Sequence, residues 1–254
     1  MITIGLDPHP DSHTVAALDE NGAALTSLAV ANNAEGLLKL HQFALAFPDH
    51  RWAIEGAANR FILPFVRELL DPGGESAVTI RAVAQAVGMS HNAPYKHFED
   101  RSALLRAVAV QDFAALGDAF VEIRRLEVEP LTKLKRALTV FVAYGEKYPA
   151  RYRLLFSDPD IADTVDVAVQ GGDLEAAAMR SFAEFAAIVQ GCQNAGDLPD
   201  MPNAEQTGLI YASVHGLIDL QMGGRMRQEK GLTDAYKGAE RLVDLLQPLR
   251  DSRG

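Results

Sequence analysis

From residue 100 onward, apolar residues recur at the three- and four-residue spacing that is typical of amphipathic helices. The pattern predicts six helices, which span residues 100–127, 130–147, 149–156, 173–192, 203–222 and 233–249. Pro130 and Pro149 suit the first turn of a helix, and Asp173 is expected to cap the fourth helix. Residues 157–172, with an Asp-Pro and a Gly-Gly pair, are predicted to form a loop. The second half of the chain is therefore expected to be a helical bundle.

A tighter pattern lies between residues 79 and 105. Thr79 is a good N-cap. An apolar stripe with helical spacing follows it, formed by Ile80, Val83, Ala84 and Val87. Gly88 ends this short helix, because glycine adopts the left-handed conformation without steric cost. Pro94 is acceptable in the first turn of a second short helix, and Asp100 caps a third. Two short helices joined by a glycine turn predict a helix-turn-helix, whose second helix enters the major groove of DNA.

Before residue 60 the pattern changes to strands. Short apolar runs predict strands at residues 1–7, 13–19, 23–30 and 51–55, with a helix at residues 34–47 that Asn33 caps. The tripeptide Glu20-Asn21-Gly22 is a strong hairpin turn. Three antiparallel strands, a helix and a further strand form the opening of an RNase H-like fold. The chain is thus predicted to be mainly α-helical, with a truncated RNase H-like α/β fragment in front.

The segment after Gly88 adds further residues at characteristic spacing, namely Tyr95, Lys96, His97, Phe98, Asp100, Arg101 and Leu104. With the capped helix before them, they resemble the DNA-reading unit of the TetR family of bacterial repressors. The resemblance implies a three-helix head followed by a six-helix regulatory bundle. It also implies that one set of side chains faces the groove, formed by Ser90, His91, Asn92, Tyr95, Lys96 and His97. Thr79, Arg81 and Arg101 are expected to touch phosphates.

Other interpretations of this segment remain open. The helix-turn-helix can be only a packing unit, and Tyr95 can be purely structural. His91 and His97 can be a metal-binding pair, although no cysteine or third ligand lies nearby in the sequence, so neither a metal nor a cofactor is predicted. If DNA is the partner, Asn92 is the residue best suited to a base contact, because a carboxamide pairs with adenine in two places.

The C-terminal part resembles, more weakly, the effector domain of a TetR subgroup named for a Trp-His-Gly motif. The resemblance rests on Tyr144, on residues 148–156 and on the run Val214-His215-Gly216-Leu217, where the tryptophan is missing. It implies a pocket for a small apolar effector of unknown identity, lined by Tyr144, Tyr148, Phe156, Phe182 and Phe185. The same aromatic residues can instead be plain core.

In that family the last two long helices form a homodimer interface. The apolar stripes that suit this role are formed by Ile210, Val214, Leu217, Ile218, Leu242, Val243 and Leu246. Intramolecular core is the alternative for them. A dimer also follows from the size of the head, because one small reading unit buries too little surface for tight specific binding. Double-stranded DNA with a palindromic operator is therefore the expected partner.

The N-terminal segment resembles the DEDD insertion-sequence transposases, through the run Ile4-Gly5-Leu6-Asp7, the Asp19–Gly22 turn and the run Ile54-Glu55-Gly56. That family holds divalent metal with four acidic side chains, of which Asp7 and Glu55 match the first two. Two carboxylates make a weak magnesium site, so both are interpreted as inactive remnants. A transposase-derived, metal-dependent DNA nuclease or strand-transfer protein is the alternative function. Residues 60–70 are apolar at helical spacing and are expected to serve both folds.

Composition adjusts this picture only slightly. The net charge of −10 argues against non-specific binding of nucleic acid over the whole surface. Residues 75–110, however, carry four basic and three acidic side chains, which suits a protein that binds DNA at specific sites. Cys192 is the one cysteine, and no signal peptide or membrane span is evident, so a reducing cytoplasm is expected. The domains predicted are residues 1–58, 59–110 and 111–254. The predicted function is that of a ligand-responsive repressor without enzymatic activity.

Overall fold

Four strands near the N-terminus form one sheet in the computed structural model, which describes residues 2–8, 11–54, 58–88, 94–157 and 172–248. The strands are β1 (Ile2–Pro8), β2 (Ser12–Leu18), β3 (Ala24–Ala31) and β4 (His50–Ile54). Their order is β3-β2-β1-β4, with β2 antiparallel to both β1 and β3, and β4 parallel to β1. The predicted order of three strands, a helix and a fourth strand is confirmed.

Alternation of apolar side chains gives this sheet a buried face. Ile4 and Leu6 on β1, and Val15 and Ala17 on β2, are almost completely buried. The hairpin between β2 and β3 turns at Gly22, whose φ of +83° lies in the left-handed region that favours glycine. The predicted turn is therefore confirmed, and its backbone N–H groups are held by the Asp19 carboxylate.

Helix α1 (Ala34–Leu45) packs on β3 through an unusually close approach. Asn33 caps it as predicted, accepting from the Gly36 N–H at 2.8 Å. A Cβ on Gly36 would lie 1.9 Å from the Ala31 carbonyl oxygen, so only glycine fits this first turn. The helix is consequently fixed against the end of its neighbouring strand.

Helix α2 (Ala58–Gly73) contacts both the sheet, at β1, and helix α3 (Ile80–Val87). Its buried side chains are Ile62, Leu63, Val66 and Leu70. The helix runs on through Pro64. That this segment serves two separate folds stays a prediction. Leu69 is only half-buried, whereas Leu70 is completely buried.

Six helices are described after the head: α4 (Arg101–Arg125), α5 (Pro130–Lys147), α6 (Pro149–Phe156), α7 (Asp173–Asn194), α8 (Asn203–Met222) and α9 (Ala235–Leu246). All six were predicted. One cap differs from the prediction, because Asp173 is the first residue of α7 rather than its cap. Helix α9 begins after Asp234, two residues later than predicted, and Asp234 accepts from the Lys237 N–H at 2.8 Å.

Chain contacts group into two units, Met1–Val108 and Ala109–Gly254, so the N-terminal sheet and the helix-turn-helix belong to one unit. The core of the second unit is built from Phe120, Phe141 and Phe185, whose ring centroids lie 5.1 to 5.7 Å apart. Cys192 is fully buried there, and burial raises the pKa of its thiol to about 12. Among the described residues, no helix combines the length and apolar character needed to cross a bilayer.

Candidate DNA interface and effector cluster

Helix α3 has the capped, amphipathic form that its sequence predicts. The Thr79 hydroxyl accepts from the Ala82 N–H at 3.0 Å, and Gly88 ends the helix with φ +73° and ψ +27°. Ile80, Val83, Ala84 and Val87 are its buried side chains. Helix α3 therefore packs its apolar stripe on α2 and leaves its polar side exposed. We call α2, α3, the turn Pro94–Lys96 and the first residues of α4 the reading head.

The segment between Gly88 and Pro94 lies outside the described residues, and with it the predicted groove residues Ser90, His91 and Asn92. The described chain resumes as a single 3-10 turn at Pro94–Lys96. The N–H groups of His97 and Phe98 both donate to the Pro94 carbonyl, at 3.0 and 2.9 Å.

Several residues that were predicted to contact DNA lie on the surface of the reading head. Tyr95 is 52% exposed, and Thr79, Arg81 and His97 are also exposed. Phe98 is only 4% exposed, so it belongs to the core of the head. The exposure of Tyr95 argues against a purely structural role for its ring, whereas the side chain of Lys96 lies outside the description.

Arg101 is already engaged within the head. Its Nε donates to the Val78 carbonyl at 2.9 Å, and its Nη2 donates to the Glu75 carbonyl at 2.7 Å. The Glu75 carboxylate lies 3.5 Å from the same Nη2. Arg101 therefore ties the start of α4 to the segment that precedes α3, a role that sequence reasoning missed when it assigned a phosphate contact.

Aromatic rings from α4, α5, α6, α7 and α8 meet in the second unit, and we call this group the effector cluster. Its members are Phe113, Phe120, Phe141, Tyr152, Phe156, Phe182, Phe185, Tyr211 and His215. Three of the five predicted pocket residues belong to it, namely Phe156, Phe182 and Phe185. The contact of Phe156 with His215, at 4.5 Å between centroids, shows how closely α6 and α8 approach.

His215 is the polar centre of the effector cluster. Its Nδ1 is hydrogen-bonded to the Tyr152 hydroxyl, and its Nε2 is buried without a hydrogen-bond partner among the described residues. Burial lowers the pKa of His215 to about 4, so the ring is neutral at physiological pH. Burial also raises the pKa of Tyr152, and it raises that of Tyr211 to about 12. The cluster therefore offers one unsatisfied polar atom within an aromatic surround.

Tyr144 and Tyr148, the other two predicted pocket residues, belong to a separate polar group around Asp112. The Tyr144 hydroxyl donates to Asp112 Oδ2 at 2.8 Å, and Arg151 Nη1 lies 3.3 Å from the same oxygen. The Arg151 guanidinium also stacks on the Tyr148 ring, 3.4 Å from its centroid. Asp112 and Arg151 are both buried, so this ion pair is sheltered from screening.

Comparison with known families identifies the chain. A family model for bacterial regulatory proteins of the tetR family matches residues 67–108, and one for a tetracyclin repressor-like C-terminal domain matches residues 134–246. Together the matches span more than half of the chain. The chain belongs to the TetR family. It is a DNA-binding transcriptional regulator, and the predicted helix-turn-helix is confirmed. No curated protein matches the chain.

Solved TetR-like structures share its fold. A protein of unknown function from Rhodococcus is 23% identical with a TM-score of 0.63, and the match covers 76% of this chain and 94% of that one. A TetR family transcriptional regulator from Thermus thermophilus is 19% identical with a TM-score of 0.53, covering 74% and 98%. One from Mesorhizobium loti is 16% identical with a TM-score of 0.54, covering 74% and 94%. At these identities, the likeness establishes the TetR fold.

The TetR dimer residues predicted from the sequence need correction. Ile210, Val214, Ile218 and Val243 are at most 2% exposed within a single chain, so they form intramolecular core rather than a surface for a second copy. Leu217 is half-buried against α9, where a Cβ on Gly238 would approach it to 2.8 Å. Leu242 and Leu246 are half-buried. The helical spacing of apolar residues identified the helices, but it does not determine which neighbouring helix covers each face.

Sequence reasoning missed two buried charged side chains of this TetR regulator, and its predicted acidic pair is described only in part. Asp112 and Arg151 had a weak signal, because each is a charged residue within an otherwise apolar stripe. Asp7 is exposed at the end of β1, opposite Thr14 in the sheet register. Glu55 lies outside the described residues, so only Asp7 of the predicted acidic pair can be located in the structure.

Proposed function

We propose that the protein is a ligand-responsive repressor that binds a palindromic DNA operator as a homodimer. The observation that carries this proposal is the surface beside Pro94, where Tyr95 is 52% exposed and His97 is exposed next to the buried Phe98. An exposed ring forgoes about 25 cal/mol of burial free energy per Å² of apolar area, so its position favours a partner at this surface. Family membership names that partner as DNA.

Thr79 and Arg81 are suited to position the head on the phosphate backbone. The Thr79 hydroxyl accepts from Ala82, and its own proton remains available for a phosphate oxygen. Arg81 is exposed in the first turn of α3, where the helix N-terminus also favours an anion. For Arg101, a phosphate contact is compatible with its internal hydrogen bonds only through Nη1.

Groove contacts are assigned to the segment that begins after Gly88. Tyr95 and His97 represent it among the described residues, and Ser90, His91, Asn92 and Lys96 complete the proposed set. A tyrosine ring contacts a thymine methyl or a sugar, whereas a carboxamide reads adenine. Base specificity is therefore expected from Asn92, with Tyr95 and His97 supporting the fit.

The effector is proposed to be a small, mainly apolar molecule with one polar group that meets His215 Nε2. Ligand pockets of this kind combine an apolar lining with a few placed polar atoms. Accommodating a ligand requires the packed rings of Phe156 and Phe182 to move apart. A ligand that binds better to the rearranged state shifts the population towards it and weakens the DNA complex if that state holds the heads in a different position.

Homodimerisation is proposed through the outward faces of α8 and α9. Leu209 is 56% exposed on α8 and Leu245 is 83% exposed on α9, which is unusual for large apolar residues. Ala212 and Gly216 are also exposed, three and seven residues after Leu209, so a second helix can approach closely there. A dimer places two reading heads on two half-sites, one helical turn or a multiple apart.

We infer that residues 2–54 derive from a DEDD-type transposase and are inactive. Support comes from the strand order β3-β2-β1-β4, with three antiparallel strands and a parallel fourth, and from Asp7 at the end of β1. Octahedral magnesium needs about six oxygen ligands, and two carboxylates supply few of them. Nuclease activity is therefore not expected.

The test is footprinting of the purified chain on the DNA upstream of its own gene, with and without magnesium. Protection of a palindromic segment without magnesium is expected, and it should weaken as salt rises. Tyr95→Ala should lower the affinity roughly tenfold, because one groove contact is worth about 1–3 kcal/mol. His97→Gln should weaken binding less, and Gln42→Ala, at an exposed residue of α1, is the control that should leave affinity unchanged.

Two results would contradict the proposal. A monomer without preference for any duplex would remove the regulator function. Magnesium-dependent cleavage that disappears in Asp7→Ala would instead establish the nuclease alternative.

A further inference from the structure

A cavity of about 670 Å³ lies within the first unit. Helix α1 contributes Leu37 and Leu40 to its wall, β4 contributes Trp52, and the reading head contributes Phe65 and Val87. Most of the lining is apolar, and the volume is within the range of pockets that hold small organic ligands.

His50 is a polar residue of the cavity wall. His50 Nδ1 donates to the Phe47 carbonyl at 2.5 Å, which fixes the proton on Nδ1 and leaves Nε2 as an acceptor. That Nε2 is buried and meets no hydrogen-bond partner among the described residues. The Trp52 ring packs edge-on against His50 with centroids 5.7 Å apart, which holds the imidazole in place. A buried acceptor left unmatched is costly, so a donor supplied by a ligand stabilises it.

We propose that this cavity is a second small-molecule site, which binds a neutral ligand with an apolar body and one hydroxyl donor, of the phenol class. The donor meets His50 Nε2, and the apolar body fills the space between Leu37 and Phe65. An anion is disfavoured, because the lining residues include Glu68 but no lysine or arginine.

The site bears directly on the reading head. Its wall includes residues 85–88 at the end of α3, where the left-handed Gly88 leads into the groove segment. Trp52 Nε1 lies 3.8 Å from the position that a Cβ on Gly88 would occupy. A bound ligand therefore stabilises one arrangement of this turn and alters DNA affinity. That last consequence rests on the proposed function, whereas ligand binding itself does not.

Trp52 is the one tryptophan of the chain, so its fluorescence reports on this cavity alone. The probes are 4-butylphenol and 4-butylanisole. In the anisole a methyl ether replaces the hydroxyl donor of the phenol. Titration of the full-length protein should give a saturable change in Trp52 emission with both probes. The phenol should bind about three- to tenfold more tightly, which corresponds to one neutral hydrogen bond.

Three variants locate the site. His50→Phe should retain binding but abolish the preference for the phenol. Ala86→Leu, which places a larger side chain in the cavity wall, should abolish binding even if His50→Phe fails to fold. Phe182→Ala, in the effector cluster, is the control that should bind both probes as the natural protein does.

The outcomes separate clearly. No saturable change in emission, or an unchanged phenol preference in His50→Phe, overturns the proposal. The proposal is also overturned if Phe182→Ala abolishes binding of the probes while Ala86→Leu preserves it. If the phenol binds as expected but the protein shows no DNA affinity with or without it, the cavity assignment stands and the proposed regulator function fails.

Discussion

Acidification should destabilise the second unit through His215. In the folded protein, burial lowers the pKa of this imidazole from 6.5 to about 4. The unfolded chain therefore binds a proton at higher pH than the folded chain does, and stability rises with pH wherever the unfolded state carries more protons. The contribution of the neutral His215 to the free energy of unfolding is fully present above pH 6.5, and it is lost progressively as the pH falls to about 4.

The magnitude follows from the size of that shift. One pKa unit corresponds to about 1.4 kcal/mol, so the free energy of unfolding should fall by about 3 kcal/mol across this interval. The total stability of a domain is about 5–15 kcal/mol, so the loss is large enough to measure. Its physical origin is the cost of placing a charged imidazole among the rings of Phe141, Phe156 and Tyr211.

Urea unfolding followed by far-ultraviolet circular dichroism measures this effect, at a fixed protein concentration because the proposed dimerisation would contribute to stability. His215→Gln removes the titrating group and keeps a polar side chain. The difference in unfolding free energy between the natural protein and His215→Gln should change by about 3 kcal/mol between pH 6.5 and pH 4. Gln42→Ala, at an exposed site of α1, is the control and should show the pH dependence of the natural protein.

A pH-independent difference between the natural protein and His215→Gln would refute the reasoning. That result would mean that the protonated imidazole is accommodated in the folded protein, either by water or by movement of Tyr152.

Three further predictions concern stability. Thr79→Ala should cost about 1 kcal/mol through loss of the α3 cap, and Thr79→Ser should restore most of it, as thermal unfolding of the two variants will show. Asp112→Ala should cost roughly 3–5 kcal/mol, because it removes the carboxylate beside the buried Arg151, whereas an unchanged melting temperature would show that the ion pair contributes little. Gly36→Ala should disrupt the packing of α1 on β3, since its Cβ would lie 1.9 Å from the Ala31 carbonyl oxygen, and hydrogen exchange limited to the N-terminal strands should increase.

Local signals in the sequence were sufficient for most of the fold. Thr79, Asn33 and Gly88 each act within one helical turn, and proline marks the start of α5 and α6. Such features depend on backbone geometry and short-range hydrogen bonds, which the sequence specifies directly. The same holds for the hairpin after Asp19, where the turn residues determine the conformation.

The functional sites depend on long-range packing, and there the sequence was less informative. Helical spacing indicated that Val214 and Val243 are apolar positions, but their burial within one chain required knowledge of how α8 and α9 meet. Arg101 was assigned to a phosphate by resemblance to the family, whereas the hydrogen-bond partners that it has within the head lie more than twenty residues earlier in the chain. The polar centre at His215 emerged only once Tyr152 and Tyr211 were placed beside it.

The inaccessible thiol of Cys192 makes this protein a convenient background for spectroscopic labelling. A buried sulfur with a pKa of about 12 reacts poorly with maleimides or methanethiosulfonates at neutral pH. A cysteine introduced at the exposed Glu99 can therefore carry a spin label without removal of the native residue. The separation between two such labels in the proposed dimer, recorded as small molecules are added, would measure the movement that we propose for operator release.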